Sequence, residues 1–223
     1  MIPNDFDTAH AQILALVRTF ADSVDKYHEP AYNESAARKD FIDKFFIALG
    51  WDVNHDHQTN PYEQEVKIER NVAVAARVKK ADYAFFVGPN FRQERFFVEA
   101  KRPSVAVIES PDNCFQVNRY AYSSAKAAVS LLTNFKELCI IDCRFEPDIL
   151  TASDRVYKKF HYSDFEDKKK FAEIYYLFGR DAVIAGSLET FAESLPKPKG
   201  KLRQRIFRAD GYQDVDEIGR AHV

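Results

Sequence analysis

Two spacings of apolar residues divide the chain. Over residues 8–27, Ile13, Leu14, Val17, Phe20, Ala21 and Val24 recur at three- and four-residue intervals, which predicts an amphipathic helix. Residues 34–49 repeat the pattern with Phe41, Ile42, Phe45, Phe46 and Leu49. Asn33 supplies an N-cap and Gly50 a stop. Trp51-Asp52-Val53 then opens an extended stretch. At Glu65-Val66-Lys67-Ile68-Glu69 the period falls to two, as in a half-buried strand. Residues 81–87 and 95–101 predict two more strands, joined by a turn through Gly88-Pro89-Asn90. A helix is expected over 112–126, apolar strands over 128–132 and 138–142, and a helix over 168–178. The fold class that follows is α/β: a central mixed β-sheet flanked by helices, with one crossover helix and additional C-terminal helices.

Residues 1–195 read as one domain, and 196–223 as a basic linker and tail leading to an absent domain. Residues 196–208 hold six basic residues, two prolines, one glycine and no acid, which favours a connector over a regular element. A phosphate-contacting arm is the alternative.

Composition narrows the functional classes. With 46% apolar and 30% charged residues, the 223-residue chain can bury a core. Its three cysteines show no C-x-x-C spacing, so buried thiols are expected rather than a disulfide or a cysteine zinc site. The N-terminus lacks a signal-peptide pattern and no apolar run approaches the roughly 18 residues of a membrane span, so a cytoplasmic protein with no membrane partner is expected. No two of the seven glycines lie within six residues of each other. That excludes G-x-G-x-x-G and G-x-x-x-x-G-K loops, and with them a nucleotide-loop ATP or S-adenosylmethionine site within this chain.

Candidate chemistry concentrates between Lys79 and Lys101. Glu99 and Lys101 are two apart and share a strand face. If the flanking strands pair through Gly88, Asp82 comes to lie beside Glu99, so that two carboxylates and an ammonium converge at one sheet edge. Such a set suits Mg²⁺, which takes oxygen ligands, a few waters and substrate phosphate, and with it phosphodiester hydrolysis, Lys101 stabilising the charge that develops on the phosphate. A solvent-facing Glu-x-Lys pair on an edge strand is the bland alternative. His55-Asp56-His57 could place two imidazoles together, but no third ligand follows, so a polar turn is expected there. The 19 phenylalanines and 11 tyrosines lie mostly in apolar runs and read as core rather than as base-stacking surfaces.

Several motifs occur together in order: Asn33-Glu34 with Arg38 and Phe41-Ile42; Ala48-Leu49-Gly50-Trp51-Asp52; Lys80-Ala81-Asp82-Tyr83-Ala84; Val98-Glu99-Ala100-Lys101-Arg102-Pro103; Gln116-Val117-Asn118-Arg119-Tyr120-Ala121; and Leu132-Thr133-Asn134-Phe135. Across about residues 33–142 this set resembles the N-terminal nuclease domain of restriction–modification enzymes, type I subunits or fused type IIG-like enzymes, in the PD-(D/E)xK nuclease superfamily. The resemblance implies that Asp82 and Glu99 ligate the metal with the Ala100 carbonyl, that Glu34 stands beside it, and that Lys101 assists catalysis. Gln116 and Tyr120 match a Q-x-x-x-Y element that supports the site. Ala81 precedes the aspartate, where the superfamily name has proline, and Phe135 replaces a more usual glycine and is expected to alter only a turn.

The function so implied is a metal-dependent DNA endonuclease, with Mn²⁺ able to substitute for Mg²⁺ and products carrying a 5′-phosphate and a 3′-hydroxyl. A catalytically silent DNA-binding or assembly module on the same fold is the runner-up. Double-stranded DNA is the expected partner, with Lys79, Lys80, Arg102 and Arg119 as candidate phosphate contacts. Methyltransferase and target-recognition domains are expected in the same polypeptide or a complex, the fused arrangement being favoured, and a transient dimer on DNA would serve a duplex cut. The net charge of −2 fits a protein that gathers carboxylates at a metal and places its cations elsewhere.

Overall fold

A computed structural model describes residues 5–74, 77–107, 109–124, 126–196, 205–208 and 211–214. The first predicted helix is two: α1 (Phe6–Ala21), capped by the Asp5 side chain on the Thr8 N–H, and the single turn α2 (Val24–Tyr27). The second is continuous but not uniform. α3 (Glu34–Ala37) runs through a π-helical turn (Arg38–Ile42) into α4 (Asp43–Ala48). Asn33 Oδ1 accepts the Ala36 N–H at 2.9 Å, and the chain leaves at Gly50 with φ of 92°, where a Cβ would be strained.

No strand follows at Trp51, contrary to expectation. The Asp52 carboxylate accepts the backbone N–H groups of Asp56, His57 and Gln58, at 2.8, 2.9 and 2.9 Å, and winds the chain into the polar turn expected at His55-Asp56-His57. His55 Nε2 lies 2.7 Å from the Val66 carbonyl oxygen, which occupies that nitrogen within the turn.

Six strands form one sheet in sequence order: β1 (Val66–Val74), β2 (Arg77–Phe86), β3 (Glu94–Ala100), β4 (Val129–Thr133), β5 (Glu137–Asp142) and β6 (Val156–His161). Every neighbouring pair is antiparallel except β3 and β4, which are parallel and joined through α5 (Pro111–Ser123). The α/β class, the mixed sheet and the crossover helix are therefore as expected. β6 was not expected: it is an edge strand in which only Phe160 is buried, and Lys158 and Lys159 pair with Glu173 and Glu137, so apolar alternation is nearly absent.

Period-two alternation separates two cores. Phe85, Phe96, Val98, Leu131 and Ile140 face α1, α4 and α6 (Lys168–Phe178). Ala84, Phe86, Phe97, Leu132 and Ile141 face α5, with the free buried thiols Cys114, Cys139 and Cys143 among them. Two further helices, α7 (Arg180–Ile184) and α8 (Ser187–Ser194), close the first face. Within the segment read as linker and tail, β7 (Arg205–Arg208) and β8 (Gly211–Asp214) pair as antiparallel strands. Apart from these and Pro196, that segment lies outside the described residues. Among the described residues no helix is long and apolar enough to cross a membrane.

Phe135 does more than shape the β4–β5 turn. Its φ is 66°, which explains a preference for glycine at such a position, yet its ring is buried with centroids 4.6 Å from Phe41 and 5.2 Å from Phe20. Phe135→Gly relieves a strain of about 1 kcal/mol and forfeits a buried ring worth about 3–5 kcal/mol, so burial wins. The variant should lose about 2–4 kcal/mol in a urea titration; unchanged stability would remove Phe135 from the core.

Candidate active site

The site begins where β2 and β3 part. Their ladder runs from Phe86↔Glu94 to Tyr83↔Val98 and stops one residue short of Asp82 and Glu99. There the Asp82 Oδ2 accepts the Ala100 N–H at 2.8 Å, so a carboxylate stands where a strand carbonyl otherwise would. Asp82 lies in the middle of β2 rather than opening it, because β2 continues backwards against β1 through Ala81↔Arg70 and Lys80↔Asn71.

Glu99 points to the same sheet face as Phe97 and is 2% exposed. Lys101 Nζ donates to its Oε1 at 2.5 Å, while its Oε2 is buried without a hydrogen-bond partner. Glu34, at the start of α3, reaches to 4.0 Å from the Lys101 ammonium. The structure thus brings Asp82, Glu99, Ala100, Lys101 and Glu34 together, but where the interior strands β2 and β3 part rather than at an edge of the sheet, since β1 and β4 flank that pair.

Burial is the main cost of this arrangement. Burial and the Asp82 charge push the Glu99 carboxyl up to about 8, against the lowering pull of Lys101. Burial also raises Asp82 and Glu34. For Lys101 burial works the other way, but Glu99, Glu34 and Asp82 outweigh it and hold the ammonium charged. Once Glu99 is ionised, three carboxylates face Lys101 and Arg38, and the unpartnered buried Glu99 oxygen leaves room for one more cation. The donor set fits a hard divalent ion that takes few protein ligands. Among the described residues no three Asp, Glu, His or Cys side chains are grouped as a metal site, so any such ion would lean on backbone and water as well.

Four surrounding residues, Arg38, Asp43, Glu69 and Tyr83, carry weight that pattern alone did not assign. Arg38 Nη1 lies 3.6 Å from Asp82 Oδ1 and 3.9 Å from Glu69 Oε1, and its Nε donates to the Tyr83 hydroxyl at 3.3 Å. That hydroxyl donates to Asp43 Oδ1 at 2.6 Å. The π-turn makes the arrangement possible: the Asp43 N–H bonds to the Arg38 carbonyl five residues back, widening the turn between them. Glu34 and Arg38 are legible as an i, i+4 pair; Asp43 and Glu69 follow no helical or strand period that points to the site.

On the other side, Gln116 Nε2 donates to the Tyr120 hydroxyl at 2.8 Å, and that hydroxyl donates to the Lys80 carbonyl at 2.6 Å. The expected pair on one helix face is therefore a tether from α5 to β2, two residues before Asp82. Burial pushes the Tyr120 hydroxyl up to about 12, keeping it a donor. Of the four candidate phosphate contacts, Lys79, Lys80 and Arg102 are exposed and Arg119 is half-buried. Lys80 is compensated by Glu69 at 3.3 Å. Lys79, Arg102 and Arg119 have no acidic partner within 4.0 Å among the described residues.

No protein-family model matches the chain. Over 182 residues, 80% of its length, it is 34% identical to the type II restriction enzyme and methyltransferase RM.Eco57I of Escherichia coli. The matched stretch is 18% of that protein, so the chain spans less than a fifth of the relative's length. Among solved structures, the type IIG restriction endonuclease BpuSI aligns over 67% of this chain and 17% of its own, with a TM-score of 0.41 and 14% identity. In sequence, then, the chain is homologous to part of a restriction enzyme.

Proposed function

We propose that this chain is the nuclease domain of a restriction–modification enzyme, a metal-dependent DNA endonuclease of the PD-(D/E)xK type. The observation that carries the reading is the buried Glu99 carboxylate beside Asp82, with Lys101 on one oxygen and nothing on the other. The homology to a type II restriction enzyme and methyltransferase supports it.

Asp82, Glu99 and the Ala100 carbonyl would hold Mg²⁺ or Mn²⁺, with Glu34 beside it. When bound, such an ion lowers the pKa of a coordinated water and neutralises charge on the phosphate. The chain's own residues do the rest. Lys101, kept cationic by three carboxylates, is placed to stabilise the phosphorane-like charge and orient the attacking water. Arg38, anchored through Tyr83 and Asp43, holds Asp82 in place. Gln116 and Tyr120 fix α5 against the strand that carries Asp82. Lys79, Arg102 and Arg119, with Lys80 after release from Glu69, would contact duplex phosphates. Sequence choice would come from methyltransferase and target-recognition domains in the same polypeptide or a complex, in the fused arrangement, with a transient dimer on DNA and a cytoplasmic setting.

Plasmid DNA incubated with the chain and Mg²⁺ or Mn²⁺ should be cut, and chelation should stop the cutting. Lys101→Ala should slow it at least about a hundredfold, the scale of losing one charge-stabilising donor. Cleavage that survives chelation, or that Lys101→Ala leaves intact, would sink the proposal.

A further inference from the structure

Beside the carboxylate cluster lies a second concavity of about 260 Å³, lined by Lys79, Asp112, Phe115, Gln116, Arg119 and Tyr120. Its position is fixed by the tether already described: Tyr120 bonds to the carbonyl of Lys80, and Lys79 is the next residue back along β2. Three steps along the strand separate Lys79 from Asp82, about 10 Å at 3.3–3.4 Å each. Along one DNA strand that distance covers no more than about three nucleotides, whose phosphates rise 3.4 Å each along the helix axis.

Charge in this pocket has no acid in contact with it. Several other buried or partly buried arginines do face acids, Arg70 with Glu94, Arg95 with Glu189, Arg144 with Asp142 and Arg180 with Glu65, whereas Arg155, over the Phe145 ring, resembles Arg119. Arg119 and Lys79 face none within 4.0 Å among the described residues. Arg119 instead lies over the Phe115 ring, with its guanidinium carbon 5.2 Å from the centroid. A ring holds the guanidinium plane without consuming its N–H donors, which remain directed outward along its edge. Asp112, the one acid on the rim, is exposed and therefore screened. The same stacking bears on the ligand class. With Arg119 already over its ring, Phe115 is engaged as a stacking partner, which favours donors to an anion over a platform for a base.

We infer that this pocket seats one backbone phosphate of the DNA strand, within about three nucleotides of the phosphate that is cut, with Arg119 as the forked donor, Lys79 as the second cation and Phe115 as the residue that orients Arg119. The inference rests on the nuclease reading. It deepens that reading by separating a positioning phosphate from the scissile one.

The test is the salt dependence of DNA binding by the full chain, in chelator, followed by fluorescence anisotropy of a short labelled duplex. Each lost phosphate contact should lower the slope of log K against log salt by about one. Arg119→Gln, which keeps a stem on Phe115, and Lys79→Gln should each reduce the slope, and the double variant should reduce it by about one in all, because both cations serve the same phosphate. Phe115→Leu should weaken binding while leaving the slope near wild type, since it disorders a charge without removing it. Lys169→Ala, an exposed cation on α6, should change nothing. Melting curves by circular dichroism establish that the variants fold. Unchanged slopes for Arg119→Gln and Lys79→Gln, or an equal loss for Lys169→Ala, would overturn the phosphate seat. If the chain cuts DNA in an Asp82-dependent way and the slopes do not move, the seat fails alone. If the slopes fall as expected but the chain never cuts, Arg119 and Lys79 still hold a phosphate, and the nuclease reading fails together with the seat's placement relative to a scissile phosphate.

Discussion

Asp82→Asn should reduce metal-dependent cleavage at least about a thousandfold while leaving the melting temperature close to wild type; Asp82→Ala should reduce cleavage as far and also destabilise the fold. The two variants separate the two tasks of one carboxylate. Its charge would bind the ion, and metal-mediated charge stabilisation worth several kcal/mol converts to about three orders of magnitude in rate at about 1.4 kcal/mol per decade. Its Oδ2 also accepts the Ala100 N–H at 2.8 Å, at the point where β3 has lost β2 as a ladder partner. An asparagine oxygen can take over that bond. It surrenders the Arg38 attraction, at 3.6 Å, and at the same time ends repulsion with Glu99. Alanine leaves the Ala100 N–H without a partner, a cost of about 1–3 kcal/mol. For a domain of this size that is roughly 2–10 °C in Tm. Plasmid nicking and thermal melting on the same preparations check both halves. Cleavage by Asp82→Asn at the wild-type rate would remove Asp82 from the chemistry, and equal melting of the two variants would remove its structural bond.

Much of this site was legible because it is built on the shortest period a chain can have. Alternation along β2 and β3 places Tyr83, Phe85, Phe96 and Val98 on one face and leaves Asp82 and Glu99 on the other, which any strand assignment reproduces. Gln116 and Tyr120 were legible for the matching reason on a helix. What escaped are features in which tertiary context overrides local pattern. β6 is an edge strand held by lysine–glutamate pairs, so its residues need not alternate between apolar and polar. Trp51-Asp52-Val53 looks extended, yet three backbone N–H groups converge on Asp52 and the Trp51 indole donates to the Phe178 carbonyl at 2.8 Å, 127 residues away. The π-turn brings Asp43 under the Tyr83 hydroxyl by an i, i+5 step that the 3.6-residue period does not contain. β7 and β8 lie within the segment read as linker and tail, where the sequence suggested no regular element; the prolines at 196 and 198 precede both strands.

Glu99 predicts the second large effect, and in it stability and function oppose each other. In the metal-free protein its carboxyl titrates at about 8, since burial and Asp82 disfavour the anion more than Lys101 favours it. In the unfolded chain a glutamate titrates near 4.3. Between those values the folded protein holds a proton that the unfolded chain has released, so the stability of the metal-free protein falls as pH rises from about 4.5 to about 8. Glu99→Gln has no proton to lose and escapes that fall. The expected result is that wild type and Glu99→Gln melt together near pH 4.5, and that above pH 8 the variant is the more stable by up to a few kcal/mol, a bound set by about 1.4 kcal/mol per pKa unit and reduced by coupling to Lys101. Adding Mg²⁺ above pH 8 should raise the melting temperature of wild type, because an ion that binds only the folded carboxylate pair shifts the equilibrium by mass action. Glu99→Gln should respond weakly to Mg²⁺ and fail to cut DNA. Melting curves across pH, with and without the ion, read all of this without an activity assay. A difference between the two proteins that is independent of pH would mean that Glu99 is ionised in the fold as it is in solution. The buried carboxylate would then have lost its reason to recruit a cation. If the pH dependence appears and Mg²⁺ also raises the melting temperature, the unpartnered oxygen that weakens the metal-free fold would be what recruits an ion, and the stability lost at Glu99 would be recovered on binding it.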